Sequence, residues 1–509
     1  MTTTLSRVTN EVVTLRVLEA TFAAVAATAG SFAYAGLSPA FVGEPAARVV
    51  TRAMPAVIVN AALDALGPLA QPTSFALALA LVVAVLTVLV FATLQLEAAV
   101  DIQYLAVALT GGVVWVLAVV ATGAPVAAVA ASAPAAGVVG IVEVLAANDP
   151  LSVRRDRTVD RSRRATLQAG LATLSFAGLG YVVGRRRTPD SSVQYLDGGT
   201  GPPTAEQKLL TRARNGAFDL PDAPGLISEI GGFYTVDINS IDPVVDRDDW
   251  SLSITGAVSS ETELEYKDLR DRDATRFYST LRCVGEYLND REMDTAVWTG
   301  VPVADLLDEA DADDAAEYAV VRAVDDYWNT VTREALERSY IVYGMNGRVL
   351  PREHGHPVRM LVPGNWGEVN VKWISEIELT DEDRSGYWEE RGWDGTGEVE
   401  TVAKIWSVDR TEDGTITVGG HAYAGLQGVR AVEVSTDGGT TWTDAELSAP
   451  LEGEPHDVWR QWRHTFEPTG DSHDVVARAI DGTGTVQTES PSGPKPDGPT
   501  GWASVTVER

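Results

Sequence analysis

The chain has a single cysteine, Cys283, five lysines in 509 residues, and no histidine before His354. One cysteine excludes an internal disulfide, a cysteine-cluster zinc site and a cysteine-held iron–sulfur centre. The late first histidine excludes bis-histidine haem in the N-terminal part, and no CxxCH haem attachment is present. The 40 basic residues face 71 acidic ones, for a net charge of −31. Nucleic-acid binding needs a lysine- and arginine-rich face, so that class is excluded.

The charge is unevenly spread. Residues 1–187 hold 13 Arg and 10 acidic residues, close to neutral; the remainder holds 27 basic against 61 acidic residues. The two parts face different solvents. The length suits two to four domains. High acid with few Lys and Cys matches the composition of salt-loving archaeal proteins, and an ordinary acidic secreted protein is the alternative.

Long apolar runs fill the first part. Ser74–Leu94 has 21 residues and no charge, enough to cross a hydrocarbon core of about 30 Å at about 1.5 Å per residue. Tyr104–Gly123, Pro125–Val142, Ala20–Gly36 and Ala165–Gly184 read the same way. Pro45–Leu69 is apolar but holds Arg48, Arg52, Asn60 and Asp64. It reads as an amphipathic helix lying at the interface, with a sixth span as the alternative.

Five spans put the ends of residues 1–187, the membrane domain, on opposite sides. "RRDRTVDRSRR" (154–164) carries six Arg and belongs on the cytoplasmic side, which places everything after Arg187 outside. The "RRR" at 185–187 opposes this. "RSRRATLQAG" (161–170) resembles a twin-arginine export signal with Arg163 and Arg164 as the pair; ordinary positive-inside charge explains the pair equally well. Glu19 and Glu143 lie near span ends, and the spans hold almost no ionisable residues that would form a transport path.

A polar Gly/Pro-rich stretch, set at 188–229, reads as a linker. Over 230–400 short strands alternate with helices: "WSLSITGAV" (250–258) and "AEYAVVRAV" (316–324) read as strands, "VPVADLLDEA" (301–310) as an amphipathic helix, so the class is α+β. From 401 to 509, alternating segments around Asp-Gly turns predict an immunoglobulin-like β-sandwich.

"YIVYGMNGRVLPREHGHPVRMLVPGNWGEVNVKW" (340–373), with Cys283 in "TLRCVGE", strongly resembles the sulfite oxidase family of molybdenum enzymes. The resemblance covers about 230–509; "STDGGTTW" (435–442) and "PSGPKPDGPTGWASVTV" (491–507) are similar to that family's dimerisation domain. It implies a molybdenum–molybdopterin cofactor with Cys283 as metal ligand and catalytic residue, a role suited to a soft thiolate. A cation-rich pocket would hold that cysteine as thiolate. The resemblance also assigns His354, Arg359 and Lys372 to the pterin, with Asn370 beside them, Asp325 as a further contact, and "FYTVDI" (233–238) as the first cofactor loop.

The departures bear on the substrate. The family's first-loop Arg is Val236 here, its "CAGNRR" is "CVGEYL", and its catalytic Tyr aligns with Trp393. A dianion in such a pocket is desolvated without charge pairing. The expectation is therefore a membrane-anchored oxidoreductase outside the cell, acting by oxygen-atom transfer. It would take sulfite-type oxidation or reduction of an S- or N-oxide, with Tyr327, Trp328 and Trp393 as candidate pocket or core aromatics. Its partners would be a small-molecule substrate, an unidentified electron-transfer protein and a possible second copy in a homodimer, with no haem on this chain. A non-catalytic binding protein that kept the fold is the alternative.

Overall fold

The computed structural model describes residues 2–147, 157–188, 194–394, 397–411, 413–451, 453 and 456–509. It divides into two compact units, Met1–Pro189 with Asp237–Val244, and Asp190–Val236 with Val245–Arg509.

The first unit is helical: α1 (Thr2–Ala35), α2 (Gly43–Ala53), α3 (Ala56–Leu66), α4 (Ala70–Val100), α5 (Leu105–Thr122), α6 (Pro125–Ala147) and α7 (Arg157–Arg187). Stretches of α1, α4, α5, α6 and α7 are long and apolar enough to cross a membrane, in line with the five expected spans. Small residues let the helices meet closely. Ala20, Ala23, Ala24 and Ala27 on α1 and Ala131 and Ala135 on α6 are completely buried, and a Cβ added at Gly30 would lie 2.1 Å from the Ala130 carbonyl. The stretch expected to be one interfacial helix is two, α2 and α3, bent by 104°. Pro55 sits at the break, where it cannot continue the ladder of α2. Val57 is 79% exposed.

Residues 237–244 pack with this unit. Ile241 is buried in a cluster with Ala35 and Phe41, and Gln71 Nε2 donates to the Asn239 carbonyl at 2.9 Å. Residues 154–156 of the arginine-rich loop lie outside the described residues, as does the Arg163 side chain of the export-signal pair.

The second unit begins with a helix inside the stretch read as linker. α8 (Thr204–Gly216) buries Glu206, whose carboxylate takes hydrogen bonds from Arg276 Nε at 2.8 Å and Thr299 Oγ1 at 3.0 Å. Two sheets follow. In one, Ser251–Gly256 pairs antiparallel with Thr262–Glu265 and parallel with Ile374–Thr380, which leads on to Tyr318–Ala323 and Trp328–Thr332. In the other, Thr275–Arg282, Met293–Pro302, Tyr340–Met345 and Arg348–Val349 are successive neighbours. Arg359–Leu361 pairs with Tyr340–Met345. Short helices at Val303–Glu309 and Arg333–Glu337 complete the α+β domain.

The C-terminal part is two four-stranded sheets enclosing one apolar core. Val402–Arg410, Ile416–Tyr423, Arg460–Phe466 and Glu446–Leu447 form one. Thr443–Asp444, Val429–Ser435, Ser472–Asp481 and Ala503–Glu508 form the other. Val418 and Trp462 from the first sheet and Val432 and Ala477 from the second are fully buried together. Period-two alternation is what lets each strand give one face to that core.

Gly256 ends its strand at φ +83°, and a Cβ there would lie 2.1 Å from the Leu379 carbonyl oxygen. Gly256→Ala is expected to cost at least about 2 kcal/mol, from left-handed strain and the backbone clash together. Chemical denaturation of the second unit's transition measures it.

Candidate active site

The strand Thr275–Arg282 delivers Cys283 to a loop closed by the Cys283 N–H, which donates to the Glu292 carbonyl at 2.9 Å. Cys283 is half-buried and its thiol is free. Gly285 lies close to the sulfur: a Cβ there would stand 3.7 Å from Sγ. Burial pushes the thiol well above its ordinary range, and the charges of Glu292 and Glu286 add to this. The charges that act on the sulfur most are the carboxylates of Glu292 and Glu286.

A buried ion network underlies this loop. Arg282 Nε donates to Glu286 at 2.8 Å, Lys404 Nζ donates to the other Glu286 oxygen, and all three side chains are fully buried. Lys404 also donates to the Asp290 carbonyl at 2.8 Å, and Arg282 Nη1 to the Glu400 carbonyl at 2.6 Å. The Arg282 guanidinium lies 4.7 Å from the Trp366 ring centre. Burial lowers Lys404 to about 8 against the pull of Glu286, and raises Glu286 against the pull of Lys404 and Arg282.

The expected pterin residues come together. His354 and Arg359 are buried, and Arg359 donates to the His354 carbonyl at 3.3 Å and to the Asn370 carbonyl at 2.9 Å. Lys372 Nζ donates to the Glu353 carbonyl at 2.9 Å. Gly355, at φ +103°, sits where a Cβ would lie 3.0 Å from the Arg359 Cβ and 3.1 Å from the Lys372 Cβ. Only glycine lets His354, Arg359 and Lys372 crowd into one cradle. Burial and the cations Arg359 and Lys372 hold His354 down at about 3, so it is neutral. Asn370 is spent on the backbone: its Oδ1 accepts from Val362 N at 2.7 Å and its Nδ2 donates to the Trp366 carbonyl at 3.0 Å. It fixes the loop more than it offers a free amide.

Tyr234 joins the two halves, and nothing within "FYTVDI" singles it out. Its backbone N–H donates to Asp294 at 2.8 Å. The phenol is tight against Gly367, where a Cβ would lie 2.7 Å from the hydroxyl. Burial, followed by the charge of Cys283, pushes it well up, while Arg359 opposes. The phenol thus sits in the fields of both Cys283 and Arg359. Phe233 beside it meets His354 edge-on at 5.3 Å.

Asp325 is buried and accepts from Tyr327 N at 3.2 Å; the Trp373 carbonyl next to Lys372 binds the Val324 N–H at 3.0 Å. The Tyr327 hydroxyl is engaged, donating to the Glu368 carbonyl at 2.8 Å. Trp393 is brought to the site: a Cβ at Gly285 would lie 3.7 Å from Cys283 Sγ and 3.8 Å from Trp393 Cη2. Val236, which stands where the resemblance implies an Arg, is 47% exposed.

These groups suit a metal–pterin cofactor on their own chemistry. A thiol stands at one end, a buried cation cradle at the other, and the buried His354 Nε2 has no hydrogen-bond partner among the described residues. Residues 239–388 match the family model described as oxidoreductase molybdopterin binding domain, and residues 397–492 that described as Mo-co oxidoreductase dimerisation domain. Mitochondrial sulfite oxidase of Homo sapiens is 27% identical over 309 residues, covering 49% of this chain and 55% of the relative. Sulfite oxidase of Arabidopsis thaliana is 25% identical over 312 residues, covering 49% and 79%. Nitrate reductase [NADPH] of Fusarium oxysporum is 24% identical over 320 residues, covering 47% and 35%. The chain spans about half the length of the mammalian relatives it matches.

Glu368 gives a measurable pH signature. Both its oxygens are buried without hydrogen bonds, and burial, with Glu389 adding, raises it from 4.5 to about 8. Between those values the folded state holds the proton more tightly than the unfolded one, so this group's contribution to stability falls as pH rises from about 4.5 to about 8. Glu368→Gln is expected to remove that fall. Thermal unfolding across this pH range should show the variant level with the parent at the acid end and more stable, by a few kcal/mol at most, at the alkaline end.

Proposed function

We propose that this chain, which carries the domains of sulfite-oxidase-family molybdopterin oxidoreductases, is a membrane-anchored enzyme that transfers an oxygen atom at a cysteine-ligated molybdenum–pterin centre. Cys283 is the metal ligand. His354, Arg359 and Lys372 hold the pterin, supported by Asn370, which shapes their loop, and by Asp325. When bound, the cofactor supplies the two-electron oxygen-transfer chemistry. The chain's own residues position and protonate. The Cys283 N–H to Glu292 carbonyl bond closes the loop that presents the sulfur, and the thiol gives up its proton when a metal binds.

One observation carries the choice of substrate: the Cys283 N–H donates to the Glu292 carbonyl at 2.9 Å, so a carboxylate-bearing residue closes the loop of the ligand and its charge acts on the sulfur. Glu286 is balanced by Lys404 and Arg282, whereas Glu292 has no such pair among the described ion pairs. An anion such as sulfite meets like charge here, without the Arg that the resemblance implies at Val236. An uncharged S- or N-oxide meets no such penalty. Reduction of a neutral oxide is therefore the favoured reading. Sulfite oxidation is the second, supported by the relatives named above.

The five apolar helices are read as the anchor, with the arginine-rich loop inside and the catalytic part outside. The sandwich, of immunoglobulin-like layout, serves a homodimer, supported by the match at residues 397–492. The acidic surface suits concentrated salt.

Elemental analysis of the full chain, produced with its cofactor machinery, is expected to give one molybdenum per chain. Cys283→Ser is expected to lose turnover with both sulfite and a sulfoxide; metal-free folded protein would end the reading. Glu292→Gln separates the substrates. It should raise kcat/KM for sulfite about tenfold and change a neutral sulfoxide little, as expected for removing one unpaired like charge.

A further inference from the structure

Electrons must enter or leave a two-electron site one at a time if the carrier is a one-electron protein, and the sequence offers no haem site on this chain. A line of aromatic rings leads from the cysteine loop to the surface. Trp393 and Cys283 Sγ flank Gly285. The Trp393 ring centre lies 6.2 Å from Trp388, Trp388 lies 5.2 Å from Tyr387, and Tyr387 lies 5.4 Å from Trp328. Trp393 and Tyr387 are buried, whereas Trp388 and Trp328 are half-buried. The outer end is anchored by Trp328 Nε1, which donates to the Ser385 carbonyl at 3.1 Å.

Packing alone does not explain the inner end. Trp393 Nε1 is buried with no hydrogen-bond partner among the described residues, a cost that a phenylalanine at this position would avoid. Arg391 lies 3.6 Å over the Tyr387 ring. A cation there disfavours a lasting positive charge on that ring, so Tyr387 bridges and does not store.

The surface around the outer end is acidic. Asp326, Asp381, Glu382, Asp383 and Glu390 are exposed close in sequence to Trp328, Tyr387 and Trp388. Arg384 is already engaged with Glu378 and Glu382. A carrier with a basic docking face is the complement.

We propose that Trp393, Trp388, Tyr387 and Trp328 form the electron path between the Cys283 site and a docked one-electron carrier protein with a basic face. The proposal rests on the oxidoreductase reading above. Two electrons cross singly per turnover, each changing one carrier by one unit, and the accompanying protons exchange with solvent. In the reductive direction the same two electrons enter from two reduced carriers.

Two experiments on the full chain test it. In the first, Ser385→Cys in a Cys283→Ala background carries a ruthenium polypyridyl photo-oxidant, and transient absorption follows tryptophanyl radicals. No cofactor or turnover is needed, so failure here is separate from failure of the enzyme reading. Trp393→Phe should lower the radical signal and Trp388→Phe should lower it further; a signal unchanged by both overturns the path. In the second, the loaded chain exchanges electrons with a basic c-type cytochrome or with ferrocyanide/ferricyanide. Trp388→Phe should lower kcat with the cytochrome about tenfold, keep its KM and the unfolding temperature, and recover in Trp388→Tyr. Asp381→Asn with Asp383→Asn should instead raise KM and flatten the salt dependence. Equal cytochrome rates for parent and Trp388→Phe would overturn the proposal.

Discussion

Everything at the candidate site hangs on three charges that water does not reach. Arg282, Glu286 and Lys404 have fully buried side chains. Their desolvation is tolerable because each finds its partner and the remaining N–H groups reach the carbonyls of Glu400 and Asp290. Arg282 immediately precedes the cysteine, Glu286 sits three residues after it, and Lys404 comes from the first strand of the C-terminal sandwich. Removing any one leaves a bare charge in a low-dielectric interior. The sandwich is therefore part of the scaffold that sets where the thiol points, whatever it also does between copies of the chain.

The pocket is electrically polarised along its length. At one end burial, with Arg359 and Lys372, keeps His354 neutral; at the other, the charges of Glu292 and Glu286 act on the sulfur. Tyr234 spans the two, feeling both. A cofactor with an anionic end and a cationic metal has only one orientation that this gradient favours. The same gradient disfavours a small anion at the metal end, which is why the substrate reading departs from the relatives' names.

Much of this was legible in the sequence, and what was not has a physical cause. The five apolar runs announced helices because length and the lack of charge suffice. The α+β alternation and the sandwich followed from local periodicity. The interfacial helix was read as one piece because apolar composition outweighed Pro55, whose break the chain obeys. Helix α8 was hidden in a polar stretch because its partners are distant: Leu209, Leu210 and Ala213 pack in a cluster with Tyr278 and Val297, and Glu206 accepts from Arg276 and Thr299, about 70 and 90 residues away. Cys283, His354, Arg359 and Lys372 stood out only through the family resemblance of the motifs that carry them. Glu292, whose carbonyl closes the cysteine loop, did not, since nothing local distinguishes it from any other acid on an acid-rich chain. Lys404 was visible only as one of five lysines; its role depends on a pairing across more than a hundred residues.

The solitary cysteine has a practical corollary. In most enzymes several thiols compete for any sulfur reagent, and their chemistry must be disentangled. Here a half-buried sulfur is the entire thiol content of the chain. With Cys283 as the proposed metal ligand, every equivalent of chain thiol that an alkylating probe counts would be a site without its metal. The molecule carries its own occupancy gauge, read by mass, on intact membranes, and without knowledge of the substrate.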